Sequence, residues 1–131
     1  MAGKGKAVHA GDNLVQRVVA LAHSLGLEAK EQFKAGRRIW GAKRAIDVVL
    51  IEKSTRKILG IECKFQGGPG SAEEKILTTI KDIGAWPFPG LVVLDGEGYS
   101  PNMRSYLIST GKAIEFQDLE NWLKLFFWLG L

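Results

Sequence analysis

Apolar residues recur at helical spacing early in the chain. Leu14, Val18, Leu21, Ala22 and Leu25 share one face of a helix that Asp12 or Asn13 can cap and Gly26 can end. Residues 27–33 read as a short strand. The stretch from Lys34 to Arg44 is basic, contains Gly36 and Gly41, and reads as an exposed loop or hairpin. Ile46–Glu52 is rich in β-branched residues, Ser54-Thr55-Arg56 forms a turn, and Lys57–Phe65 is a second strand. Gly67-Gly68-Pro69-Gly70 breaks the chain; it is a plain turn or a place where the backbone approaches a phosphate. Ser71 with Glu74 makes a capping-box pair that opens a helix to about Ile83. After Pro87, Pro89 and Gly90, the run Leu91–Leu94 is apolar enough for a strand buried on both faces. Ser100-Pro101 starts a helix ending near Gly111, Ala113–Phe116 is a last strand, and Asp118–Trp128 a last helix.

The order α, β, β, β, α, β, α, β, α intermixes strands and helices, and Leu91–Leu94 arrives after a helical crossover. That predicts an α/β fold with a mixed central sheet flanked by helices. Residues 1–10 read as a flexible basic tail and 11–131 as a single domain, with no internal repeat.

Composition narrows the setting. The single Cys63 has no partner for an intrachain disulfide and fits a reducing compartment. Met1–Ala10 lacks the apolar core of a signal peptide, and no apolar run is long enough to span a bilayer. The expectation is a soluble, intracellular protein, cytoplasmic or nucleoid-associated, with no membrane partner. Net charge is +4. Its distribution is uneven: residues 1–64 hold 13 Lys/Arg against 6 Asp/Glu, and residues 65–131 hold 5 against 8. A basic first half suits a polyanion.

The chemistry concentrates on the strand pair. Alternate residues of a strand share a face, so Glu62, Lys64 and Gln66 point one way while Ile61, Cys63 and Phe65 point into the core. A hairpin turn at 54–56 brings Asp47, on the preceding strand, close to Glu62 and Lys64. Two carboxylates and an amine on apolar strands are costly unless something satisfies them. A hard divalent cation does so: Mg²⁺ takes oxygen ligands, often one or two carboxylates, and leaves positions for water and phosphate. A lysine beside it can position or deprotonate water and offset developing negative charge. These residue types at this spacing suit phosphodiester hydrolysis.

With these residues, the chain resembles the PD-(D/E)XK nuclease superfamily over roughly Asp12 to Leu94. In that family an acid on one strand and an acid-x-Lys on the next bind Mg²⁺ and activate water. Asp47 matches the first acid, Glu62 the second and Lys64 the lysine, with Ile46 where the family name has proline. The resemblance implies a restriction-endonuclease-like fold and a Mg²⁺-dependent DNA endonuclease, with Mn²⁺ as substitute. Many members add a glutamate from the first helix; this chain offers Gln16, a neutral metal ligand or an ordinary polar position. Gln66 can orient water or phosphate, or simply end the strand.

DNA contacts are expected from Arg37, Arg38, Lys43 and Arg44 around Trp40, which can stack or wedge. Lys4 and Lys6 add non-specific attraction. Asp95-Gly-Glu-Gly-Tyr99, with its two acids, reads as a surface turn, with a second site or a substrate-facing loop as the alternative, and His9 and His23 receive no role. The last helix is apolar around its circumference. Trp122, Leu125, Phe126 and Leu129 form one face, and Leu123, Phe127 and Trp128 the others; this predicts a homodimer. A non-catalytic DNA-binding module and a structural subunit retaining the same fold are the rival classes.

Overall fold

The β-branched run ending at Glu52 and the strand beginning at Lys57 form the expected hairpin. In the computed structural model, β2 (Lys43–Glu52) and β3 (Lys57–Phe65) pair antiparallel from Glu52↔Lys57 to Val48↔Ile61. The Glu52 carboxylate caps the turn, accepting from the N–H and hydroxyl groups of both Ser54 and Thr55. The structure describes the backbone of residues 2–37, 43–66 and 72–129, and the side chains of 12–34, 45–66 and 76–129.

The other elements are α1 (Ala2–Ser24), β1 (Glu28–Arg37), α2 (Ala72–Ile83), β4 (Gly90–Asp95), α3 (Pro101–Ser109), β5 (Ala113–Glu115) and α4 (Leu119–Phe127). A 3₁₀ turn, Phe116–Asp118, takes Phe116 out of the expected strand. The sheet order is β1-β2-β3-β4-β5. β1, β2 and β3 run antiparallel; β4 and β5 join parallel through helical crossovers. This is the mixed, helix-flanked sheet that the element order predicts.

Both faces of the sheet are covered. Leu14, Val18 and Ala22 of α1 and Leu119, Leu123 and Phe127 of α4 pack on Val48, Leu50, Leu59, Ile61 and Leu91. Ile76 and Ile83 of α2 and Leu107 of α3 pack on Val92, Leu94 and Ala113. Truncating one such fully buried residue, Leu50 or Ile61, to alanine would cost about 2–5 kcal/mol. Gly60 and Gly90, paired across β3 and β4, leave a flat seat for an aromatic side chain. A Cβ at Gly60 would lie 2.6 Å from Trp86 and 2.7 Å from Phe88.

Four elements depart from the sequence expectation. α1 begins at Ala2, so residues 2–10, expected as a tail, have helical backbone. Their Ala- and Lys-containing sequence has no proline, and each residue added to a packed helix gains a hydrogen bond. β1 reaches Arg37 because it pairs with β2 as far as Arg37↔Lys43. In α4 the inward face is Leu119, Leu123 and Phe127, with Trp122 and Phe126 half-buried; Leu125 and Trp128 face solvent. Phe65 is exposed rather than in the core, because β2 is no longer paired with β3 at that end. The Ser71–Glu74 capping pair and the Gly67–Gly70 break lie outside the described residues, although α2 begins at Ala72 as expected. No helix among the described residues is long and apolar enough to cross a membrane.

Candidate active site

Beyond Val48↔Ile61 the next link between β2 and β3 is made by a side chain. Asp47 Oδ2 accepts the Cys63 N–H at 2.9 Å, in place of a main-chain carbonyl. The register carried one step further sets Asp47 opposite Glu62. On the other edge Glu62 pairs with Val92 and Lys64 with Leu94. Glu62 is buried at 3% exposure, and Lys64 is half-buried beside it. A carboxylate so removed from water requires compensation. The Cys63 thiol registers the whole group: burial pushes it far up, the Asp47 and Glu62 charges push it further, and Lys64 opposes them.

The other Asp47 oxygen is lightly engaged, accepting from Gln32 Nε2 at 3.5 Å. That distance is at the limit of a hydrogen bond. Gln32 stands at φ 51, in the left-handed region that a non-glycine residue rarely adopts within a strand. Gln66 follows Lys64 by one alternation and is buried at 7% exposure. Its Nε2 donates to the Gly98 carbonyl at 3.0 Å, while its Oε1 has no hydrogen-bond partner among the described residues. Two carboxylates and a buried amide oxygen are hard oxygen donors that fit Mg²⁺ or Mn²⁺ in kind. The described residues hold no group of three or more His, Cys, Asp or Glu that could hold a metal ion. Magnesium in general is bound by one or two carboxylates, with water and substrate oxygens completing the shell.

Gln16 donates its amide to Glu31 of β1 at 2.8 Å. Its nitrogen is thus committed, and Glu31 is an acid that the sequence reading did not single out. Arg37, Lys43 and Arg44 stand at the ends of β1 and β2, at the same end of the sheet as the carboxyl end of β3. Their side chains, and all of Arg38 and Trp40, lie outside the described residues. The Asp95–Tyr99 segment, read as a surface turn, has a larger place than that. Asp95 binds Arg17 at 2.6 Å, and the Arg17 guanidinium sits 4.3 Å from the Phe116 ring centre. Tyr99 is buried, and its hydroxyl donates to the Lys64 carbonyl at 3.0 Å. The segment borders a cleft of about 210 Å³ with Leu94, Arg104 and Glu115. The sequence signal for it is two acids, two glycines and a tyrosine directly after an apolar strand.

A mixed five-stranded sheet between helices, with an acid on β2 facing an acid-x-lysine on β3, defines an α/β protein of restriction-endonuclease-like fold. The family comparison agrees: a model of the PD-(D/E)XK nuclease superfamily domain matches residues 6–124, and the chain belongs to that superfamily. No curated protein matches it. The crystal structure of AF1548, a protein of unknown function, is similar with a TM-score of 0.55 and 19% identity. The match covers 79% of this chain and 56% of that one, so this chain spans little more than half the length of AF1548, and the likeness is one of fold.

Proposed function

We propose that the chain is a metal-dependent DNA endonuclease that hydrolyses phosphodiester bonds, with Asp47 and Glu62 as the ligands of Mg²⁺ and Lys64 beside them. The observation that carries this reading is the point where β2 leaves β3: Asp47 turns its carboxylate onto the strand of Glu62 and Lys64, one residue past the last paired rung. A divalent cation there would polarise a phosphate oxygen and make water acidic enough to attack near neutral pH. Glu62 is only 3% exposed, and attraction between charges is stronger in such surroundings than in bulk water. The Lys64 amine orients the water or takes its proton, and offsets charge as the phosphate becomes pentavalent. Gln66 offers its unpartnered oxygen to a donor such as that water. Gln16 would add a ligand only through Oε1, its nitrogen being held by Glu31.

The basic stretch, with Arg37, Arg38, Trp40, Lys43 and Arg44, is the DNA-contacting part of this reading. Self-association is also part of it, through the exposed face of α4. Leu125 is 64% exposed and Trp128 77%. Burying each would gain roughly 1.5–3 kcal/mol. Phe127 belongs to the core and is not available for this contact. One preparation tests the whole. Incubated with supercoiled, linear and branched DNA, it should cut with Mg²⁺ or Mn²⁺ and stop in excess chelator. Its DNA affinity should fall steeply with salt, and it should sediment as a dimer that Trp128→Glu dissociates. Undiminished cutting in chelator would overturn the metal reading. Salt-independent binding would overturn the phosphate contacts, and a wild-type monomer at micromolar concentration the dimer.

A further inference from the structure

Past the last rung with β2, the strand end that carries Lys64 is held from the β4 side by the loop between β4 and α3. The Gln66 N–H donates to the Asp95 carbonyl at 3.0 Å, carrying the β3–β4 ladder one step beyond Phe65↔Asp95. The Gln66 carbonyl then accepts from Gly98 at 2.7 Å, where an unbroken parallel ladder would use Glu97. Gly96 makes the skip: it stands at φ +100, and a Cβ there would collide with the Gln66 main chain. The Gln66 amide closes the clasp on the Gly98 carbonyl. Arg104 holds the loop from behind, donating to the Gly96 carbonyl at 3.0 Å and pairing with Glu115 at 2.7 Å. From within this loop the Tyr99 hydroxyl reaches back to the Lys64 carbonyl.

We propose that Tyr99 is a positioning residue for Lys64, its hydrogen bond and the Gly96–Gly98 clasp together fixing the lysine against Asp47 and Glu62. The inference rests on the nuclease reading above. Its physical ground is that Lys64 follows the last β2–β3 rung, so its main chain is located by β4 and this loop. The ring packs in the apolar cluster of Ile76, Leu94 and Leu107, which gives the hydroxyl a fixed origin. Burial pushes the phenol well above its usual range, so it stays protonated and remains a donor through the neutral and mildly alkaline range.

The test is a double-mutant cycle in single-turnover cleavage with Mg²⁺. Tyr99→Phe removes the hydroxyl and keeps the ring. It should lower the cleavage rate on the order of tenfold, the scale of one hydrogen bond and a small misplacement, with DNA affinity unchanged. In a Lys64→Ala background the same change should cost nothing, because the group it positions is gone. A merely structural tyrosine would cost the same in both backgrounds, and that result, or a full-rate Tyr99→Phe enzyme, would overturn the proposal. Gly96→Ala perturbs the clasp from its other end and should show the same non-additivity, which keeps the test open if Tyr99→Phe folds poorly. If Lys64→Ala alone cuts at the wild-type rate, the nuclease reading of Lys64 fails instead, so the two failures are distinct.

Discussion

The two halves of β3 are built differently. From Lys57 to Ile61 the strand pairs with β2, its final residues also pair with β4, and it holds apolar residues with the glycine that seats Trp86. From Glu62 to Gln66 it pairs with β4, while its link to β2 is the Asp47 side chain. The first half is held by main-chain rungs and close packing, so it specifies the fold. In the second half those rungs give way to Asp47, Gln66 and Tyr99, and the strand carries an acid, a lysine and a buried amide. Past the last rung with β2, the sheet is carried on from β3 by β4.

The largest expected effects lie in the second half. Asp47→Asn keeps an acceptor for the Cys63 N–H and loses the charge; Glu62→Gln keeps the shape. Each should cut DNA at least about a hundredfold more slowly, and Lys64→Ala roughly 10²-fold more slowly, with melting temperatures near wild type. Wild-type rates in either carboxylate variant would remove that residue from the site. Substitution in the first half should do the reverse. Gly60→Ala drives a methyl group against Trp86 and Phe88 and should cost about 1–3 kcal/mol of stability. Below its melting transition the variant should cut at nearly the wild-type rate. A folded, stable Gly60→Ala protein that no longer cuts would erase the contrast between the halves.

Much of this was legible in the sequence, because a hairpin announces itself locally. The β-branched run before Glu52, the Ser54–Arg56 turn and the alternation through Glu62, Lys64 and Gln66 fix which strands pair and which residues share a face. The parallel strand Leu91–Leu94 was legible from its unbroken apolar character. What escaped notice depends on distant contacts. In α4 apolar residues surround the helix, so periodicity could not choose the Leu119, Leu123 and Phe127 face; the sheet chose it. The role of Tyr99 depends on a bond to a residue 35 positions earlier, which no local pattern encodes. Gln16 was legible as a polar helix position, while its partner Glu31 became visible only once α1 lay along β1.

The smallest effect concerns the turn that sets the hairpin's register. Hydrogen bonds from Ser54 and Thr55 lower the Glu52 carboxyl from its usual 4.5 to about 2. A carboxyl depressed on folding stabilises above the unfolded value and loses that contribution as pH falls through the folded one. Glu52→Ala should therefore melt lower than wild type at neutral pH, and the gap should narrow between pH 4.5 and about 2. A gap constant across that window would mean the turn does not depend on the Glu52 charge.

The central claim is that the second half of β3, with Asp47, is a divalent-metal site, and titration calorimetry with Mn²⁺ on the DNA-free protein addresses it without relying on cleavage. Wild type should bind Mn²⁺ saturably, and Mg²⁺ in excess should compete. The Asp47→Asn, Glu62→Gln double variant, folded by circular dichroism, should show no saturable heat. Equal Mn²⁺ affinity in wild type and double variant would contradict the account.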